Sequence, residues 1–573
     1  MGFRCRRRRC SIQKIHGNTS GLKVSQLKKL EKIYRRRIPP SALVTPEFAG
    51  YLAEISAEIR RQVGVLVNRK GDVEYVIVGD RSRIELPDFK RVRTAFHRFR
   101  GLRCIHTHLT PQGLNRDDLT DLSLLRLDCM TAVETSDEGR PEFVHTAHLA
   151  PDFQTTGEFD LNGVWQILPK RHISNLELDF ATFIRDLESE FMRKTPVHWR
   201  QGEGERAILI GVTTEAVDPE QERMDELQEL ARATDVTVLD RFVQRRQKLD
   251  PHFVMGKGKL QEVIIRSMQL GASLLIFNQN LTPNQMRTIC RETDLKVIDR
   301  TQLILDIFAR RAQSLEGKIQ VELAQLNYMM PRLVEFDDAL SRLTGGIGGR
   351  GPGETDLEIN RRRLQDRVSL LTRKLDAIRR SRRQRRRRRD RREVPVVSIV
   401  GYTNAGKSTL LNAMTNSSVR VEDKYFATLD PVSRRLRLPR NQDIILSDTV
   451  GFIRDLPDEL REAFKATLEE IEDASLIIHL VDASSLYKKQ HMDSVNRLLA
   501  ELGLHEIPCL VVLNKADLLD DEEREYLRCR YSPLLVSALT GDNLEQLAAA
   551  IREIVASLVN PHEYTSDSYQ ISH

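Results

Sequence analysis

The stretch Val394–Met414, VPVVSIVGYTNAGKSTLLNAM, decides how the last part of the chain folds. Val394 to Val400 is an apolar run of strand length, rich in β-branched residues, and it stops at a glycine. Gly401 to Ser408 then fits GxxxxGK[ST], and Thr409 onward continues as helix. A strand, this loop and a helix in succession aim several backbone N–H groups at one point, which suits a polyphosphate. In that arrangement Lys407 reaches the β and γ phosphates and the Ser408 hydroxyl ligates magnesium.

Downstream, further polar residues recur at loops and strand ends in the order a GTPase requires. FATLD (Phe426, Ala427, Thr428, Leu429, Asp430) supplies Thr428, whose hydroxyl is placed to ligate the same magnesium when its loop closes. IILSDTVGF ends a strand in Asp448, suited to hold magnesium through water. It runs on through Thr449 and Val450 to Gly451, whose N–H senses the γ phosphate. CLVVLNKADLL ends another strand in Asn514, Lys515, Ala516 and Asp517. The Asp517 carboxylate can accept both N–H donors of guanine, a pair that adenine does not present. LLVSAL adds Ser537, Ala538 and Leu539 beside the guanine carbonyl. With Gly401, Tyr402, Thr403, Asn404, Ala405, Gly406 and Thr409 on the phosphate side, these residues describe a GTP/GDP site. Lys407, Thr428 and Gly451 are the expected catalytic contributors.

A second glycine-rich stretch, TGGIGGRGPGETDLE (Thr344–Glu358), is not a phosphate loop. No lysine follows its glycines, and no Ser or Thr stands beside one as a metal ligand. It lies between two helical patterns. Leu315, Ile319, Leu323, Leu326, Met330 and Leu333 step by four and three, as do Leu364, Val368, Leu371, Leu375 and Ile378. Two such seams joined by one loop predict an antiparallel hairpin with coiled-coil packing, capped at its second helix by Thr355 and Glu358. Upstream, from Arg206, strands and helices alternate through RAILIGVTT, VTVLDRFV, SLLIFNQ and KVIDR, which predicts a parallel α/β subdomain.

Those parts together resemble the HflX family, within the translation-factor-related GTPases of bacteria. The resemblance runs from about 205 to 558, and the hairpin motif GGIGGRGPGETDLE is its most specific mark. It implies a GTPase that binds the large ribosomal subunit and acts on stalled ribosomes under stress. The hairpin tip, with Gly346, Gly349, Arg350 and Gly351, is then expected to contact ribosomal RNA. Glycine there permits close backbone approach. Fifteen residues follow Leu558, where some family members carry a small C-terminal domain, so the resemblance does not carry over any ribosome contact made through such a domain.

The expected organisation is a basic tail over 1–40, an α+β extension over 41–204, the α/β subdomain over 205–311, and the hairpin over 312–393. The GTPase domain follows over 394–558 and a short tail over 559–573. At roughly 150 residues per domain, 573 residues suit about four units. The net charge of +7 is concentrated in Arg4–Arg9 and Arg379–Arg392. Such runs are solvated and suit a polyanion, of which a nucleic-acid backbone is the commonest. The seven cysteines form no CxxC pair, and no uncharged run spans a bilayer. A cytoplasmic, partly membrane-associated monomer is expected.

Two further places offer chemistry. Gly256, Lys257, Gly258 and Lys259 precede a helix and could receive the phosphates of ATP or RNA, although Leu260 stands where a metal-binding hydroxyl belongs. In CIHTHLTPQGLNRDDLTDL, His106 and His108 lie at i and i+2 on a strand end. With Asp118 or Asp121 they have the donors for zinc. The pattern looks like the JAB/MPN metalloprotease arrangement, with Asn115 near the place of its serine and Glu54 or Glu58 as the base, in a domain expected to be inactive. Two alternatives to ribosome action therefore stand: an assembly or RNA-modification GTPase, and a GTP-regulated metallohydrolase. Phe452 stands where Ras-type enzymes carry a water-orienting glutamine, so intrinsic hydrolysis should be slow. Asn404 matches the asparagine that coordinates potassium in cation-dependent GTPases, which makes K+ a second expected cofactor beside Mg2+.

Overall fold

The computed structural model describes residues 14–87, 98–151, 163–194, 204–214, 217–344, 356–389, 394–415, 426, 432–438, 442–449, 451–454, 471–531 and 534–559. The chain divides into two compact units. One comprises 1–204, 255–273 and 291–295, the other 205–254, 274–290 and 296–573.

In the first unit, β1 (Ile15–Gly17), α1 (Val24–Ile33), α2 (Pro46–Ile59), β2 (Val63–Asn68), β3 (Val73–Val78) and β4 (Leu102–His108) follow one another. Then come α3 (Arg116–Leu124), β5 (Cys129–Thr135), β6 (Pro141–Leu149), β7 (Trp165–Ile167), β8 (Arg171–His172) and α4 (Phe180–Lys194). They build one mixed sheet in the order β1-β3-β2-β4-β5-β6-β7, with β8 also on β6. Residues 15–33 were expected in the basic tail, but they belong to the fold. β1 pairs in parallel with β3, and Leu30 and Ile33 of α1 are fully buried.

The chain continues through β9 (Arg206–Thr213), α5 (Val217–Ala233), β10 (Thr237–Arg245), α6 (Lys257–Leu270), β11 (Leu274–Phe277), α7 (Pro283–Glu292), β12 (Lys296–Asp299) and α8 (Arg300–Arg311). The four strands form the expected parallel sheet in the order β10-β9-β11-β12. α6 groups with the first unit, because Ile265 joins the apolar cluster around Leu119 and Leu122 and Arg116 pairs with Glu262 at 3.0 Å. The sequence boundary near 205 therefore does not divide the compact units cleanly.

Helices α9 (Leu315–Thr344) and α10 (Asp356–Arg389) make the hairpin. Ile319 meets Leu371 and Leu375, with Leu323, Leu326 and Ile378 against them, as the periodicity predicts. Leu315 differs from that reading, being 70% exposed in the first turn. The tip residues Gly346, Gly349, Arg350 and Gly351, and Thr355 of the expected cap, lie outside the described residues.

The last part holds β13 (Val396–Gly401), α11 (Lys407–Thr415), β14 (Val432–Leu438), β15 (Gln442–Asp448), β16 (Leu476–Asp482), α12 (Lys488–Glu501), β17 (Cys509–Asn514), α13 (Asp521–Tyr531), β18 (Leu534–Leu535) and α14 (Leu544–Val559). The sheet order is β14-β15-β13-β16-β17-β18, with β14 alone antiparallel. β13 has parallel partners on both edges, β15 and β16, so the loop at its carboxyl end opens at a topological switch point. Its buried run Val397–Gly401 is apolar apart from Ser398 because the strand is covered on both faces.

Candidate functional site

The loop between β13 and α11 is held by its own backbone and by two neighbouring segments. Gly406 has φ +90°, and a Cβ there would lie 2.3 Å from Asn514 Nδ2, so glycine is required. Asn404 also has a left-handed backbone, φ 62°. The Lys407 ammonium is buried and donates to the carbonyls of Tyr402 at 2.9 Å and Gly401 at 3.2 Å. Burial pushes its pKa down to about 8, against a smaller upward pull from Asp448.

The segment after β15 packs on this loop. Ser408 Oγ donates to Asp448 Oδ2 at 2.6 Å, which brings the two expected metal-site residues together. Both offer oxygen, the donor type magnesium prefers, so the residues present fit that ion. Thr449 Oγ1 donates to the Ile399 carbonyl at 2.7 Å. Gly451 leaves no room for a side chain, since a Cβ would stand 2.9 Å from Thr403 Cγ2 and 3.1 Å from Lys407 Nζ. Phe452 pairs its backbone with the loop, Thr403 N to Phe452 O at 2.8 Å and Phe452 N to Gly401 O at 3.1 Å. Its ring is buried in an apolar core. It neither donates nor accepts where the glutamine of other GTPases acts.

On the side expected to face the base, one amide joins three segments. Asn514 Nδ2 donates to the Ala405 carbonyl at 2.9 Å, and Asn514 Oδ1 accepts from Ala538 N at 2.9 Å. Ser537 Oγ donates to Asp517 Oδ1 at 2.5 Å, fixing the carboxylate's rotation. Lys515 has φ 64° and pairs with Asp482 at 2.7 Å. Ala516 is buried and Leu539 is 79% exposed. Thr409 lies in the first turn of α11. Phe426 is buried, whereas Ala427, Thr428, Leu429, Asp430 and Val450 lie outside the described residues.

Sequence reasoning missed a set of side chains around this site. Tyr402 donates its hydroxyl to Glu226 of α5 and accepts from Arg454 N at 2.8 Å. Arg454 pairs with Glu222 at 2.7 Å. Arg300 of α8 donates to Glu226 and to the Arg454 carbonyl, each at 2.9 Å. Glutamates four apart on a helix read as a solvated face, so nothing in the sequence marked them.

In the first unit, His106, His108 and Asp118 are buried together. The two Nε2 atoms are 2.9 Å apart, and Asp118 oxygens lie 3.4 Å from His106 and 3.6 Å from His108. His108 Nδ1 is 3.0 Å from the Gln112 carbonyl. Asn115 caps α3 and locks Asp118 in a reciprocal pair at 2.8 and 2.9 Å. Asp118, not Asp121, therefore completes the cluster. The expected base is misplaced. Thr107 Oγ1 donates to Ser56 of α2, so His106 and His108, alternating with Thr107, point to the opposite face of the sheet. Glu54 and Glu58 are exposed, and Glu58 pairs with Lys29 at 2.6 Å. At the start of α6, Lys259 pairs with Glu262 at 2.9 Å.

Family models match three consecutive stretches of the chain. They are the GTP-binding GTPase N-terminal region over 221–309, its middle region over 311–389, and a 50S ribosome-binding GTPase over 396–515. GTPase HflX of Caldanaerobacter subterraneus subsp. tengcongensis is 45% identical over 369 residues, covering 63% of this chain and 85% of its own. GTPase HflX of Escherichia coli K12 is 42% identical over 366 residues, covering 63% and 86%. A GTP-binding protein from the archaeon Sulfolobus solfataricus, solved with GDP, is 27% identical over 62% of this chain and 99% of its own, with a TM-score of 0.33.

Proposed function

The chain belongs to the HflX family of GTPases and is a GTP hydrolase, and on that premise we propose that it binds the large ribosomal subunit and couples the GTP cycle to the rescue of stalled ribosomes. The observation that carries the nucleotide reading is Asn514, whose one amide ties the phosphate loop at Ala405 to the base loop at Ala538. Lys407 and the N–H groups at the start of α11 hold the β and γ phosphates. Asp517, oriented by Ser537, reads guanine, and the Gly451 N–H meets the γ phosphate. Ser408 and Thr428 would hold Mg2+, with Asp448 behind a water. The ion would neutralise charge on the phosphate oxygens. GTP would order the segments around Thr428 and Gly451, and loss of phosphate would release them.

Support for the ribosome comes from the description of the matched family model and from a hairpin whose helices pack on their own seam. The test is sedimentation of stalled ribosomes with the full chain and GTP or a nonhydrolysable analogue. The expected result is conversion of whole ribosomes to subunits, with the protein on the large one. Deleting Gly345–Gly353 should abolish this while GTP binding persists. Association with immature particles only would favour the assembly reading.

A second reading concerns the first unit alone. His106 and His108 present their Nε2 atoms 2.9 Å apart, with one Asp118 oxygen 3.4 Å from His106 and the other 3.6 Å from His108, and one ligand atom from each residue lies within 4.8 Å of the others. Ligands about 2.0–2.1 Å from a tetrahedral zinc ion are roughly 3.3 Å apart, so the cluster fits such an ion with one position left for water. Metal analysis of the purified chain, with His106→Ala as control, tests it. Zinc at one equivalent, lost in the variant, is expected. A metal-free protein after zinc loading refutes it.

A further inference from the structure

The side chains that sequence reasoning missed form one buried joint. Tyr402, inside the phosphate loop, is 4% exposed and stacks on His491 at 3.9 Å between ring centroids. Its hydroxyl lies between the Glu226 carboxylate and the Arg454 N–H. Arg454 stands three residues beyond Gly451, in the segment expected to respond to the γ phosphate. Glu222, Glu226, Arg300 and Arg454 make two acids and two bases with little solvent contact. Removing one partner from such a set leaves an uncompensated buried charge, so its geometry is enforced. Apolar packing runs the same way. Phe426 meets Phe308 of α8 at 4.5 Å, and Phe452 and Ile453 share a core with Leu303 and Ile304.

The joint continues to the hairpin. Asp299, next to Arg300 in the chain, is fully buried and caps α8 by accepting from Gln302 N at 2.9 Å. Its other oxygen accepts from the Tyr328 hydroxyl and from Leu281 N at 3.0 Å. Arg332, one turn beyond Tyr328 on α9, donates to the Leu281 carbonyl at 2.8 Å and lies 3.4 Å from Asp299. Two consecutive residues thus face two places. Arg300 holds the nucleotide-responsive segment, and Asp299 holds a hairpin helix.

We propose that Glu226, Arg300 and Asp299 are positioning residues for GTP hydrolysis, setting Tyr402 and the Arg454 segment and passing the nucleotide state to helix α9. The proposal rests on the GTP site read above. A shift of the Arg454 segment would strain the Arg300 hydrogen bonds to the Arg454 carbonyl and to Glu226, and so bear on the start of α8, where the Asp299 carboxylate caps the helix.

The experiment uses the full chain with Glu226→Gln, Tyr328→Phe and the double variant. Both substitutions preserve shape, and neither residue touches the expected nucleotide except through others. Single-turnover hydrolysis, GDP affinity, and hydrogen exchange of residues 315–330 with GDP and with a GTP analogue are measured. Each variant should lower kcat by roughly two- to thirtyfold, with GDP affinity within about twofold of wild type. The double variant should be no worse than the poorer single one, because both act through one path. The nucleotide-dependent difference in exchange over 315–330, present in wild type, should vanish. Unchanged kcat in Tyr328→Phe, additive losses, or an exchange difference that survives Glu226→Gln would each overturn the relay. A wild-type chain that fails to bind GDP would instead overturn the GTP-site reading on which the relay rests.

Discussion

Replacing Gly406 by alanine adds one methyl group at a crowded point of the phosphate loop. Its φ of +90° is a conformation an L-residue adopts at a cost of roughly 1–2 kcal/mol. The new Cβ would sit 2.3 Å from Asn514 Nδ2, well inside van der Waals contact, so the Asn514 amide must move. Moving it forfeits hydrogen bonds to the Ala405 carbonyl and from Ala538 N, both 2.9 Å, at roughly 1 kcal/mol each. The sum, about 3–4 kcal/mol, corresponds to two to three orders of magnitude in an equilibrium constant. Where it appears depends on the nucleotide-free loop. If the loop relaxes, GDP binding must restore its shape and the whole cost falls on Kd. If the fold holds the loop in place, the cost appears as a lower Tm. Calorimetric titration with GDP and thermal unfolding of the nucleotide-free chain measure both. A Kd within about threefold of wild type, together with a Tm within about 1 °C, would refute the reasoning.

Three further outcomes are expected. Asp517→Asn should turn selectivity from guanine toward xanthine, because the amide replaces one acceptor with a donor; continued preference for GTP over XTP would show that Asp517 does not read the base. Asn404 is exposed, and its side chain makes no hydrogen bond among the described residues, so it is available to a potassium ion. Hydrolysis at matched ionic strength should be faster in K+ than in Na+ and lose that difference in Asn404→Ala, and equal rates in both salts would sink the idea. Lys407 titrates near 8 in the fold against 10.5 ordinarily. Between those values the unfolded chain binds the extra proton, so nucleotide-free stability should rise with pH across the window, and below it the penalty is fully present. Urea unfolding of wild type and Lys407→Met across pH 7 to 10 checks this: the variant should be more stable at pH 7 and lack the slope.

The sequence by itself determined the layout of the GTPase domain, the parallel α/β subdomain and the hairpin. The residues expected at the nucleotide were legible because each belongs to a short local pattern. A phosphate cradle is made by consecutive backbone groups, and its partners sit at strand ends that β-branched runs announce. The apolar seam of the hairpin was legible for the same reason, since a repeat of four and three names a face. Periodicity says which face of a helix is buried, but not what it is buried against. Glu222, Glu226 and Arg300 carry charges that ordinarily mark solvent, and only the fold brings Glu226 to Tyr402 across 176 positions. The same limit hid β1, whose three residues gain their place from pairing with β3 and not from their own pattern. It also left Asp118 and Asp121 equivalent until the Asn115 cap turned Asp118 toward the two histidines. Local chemistry can be read along the chain, whereas the pairing of distant charges depends on which surfaces the tertiary structure removes from water.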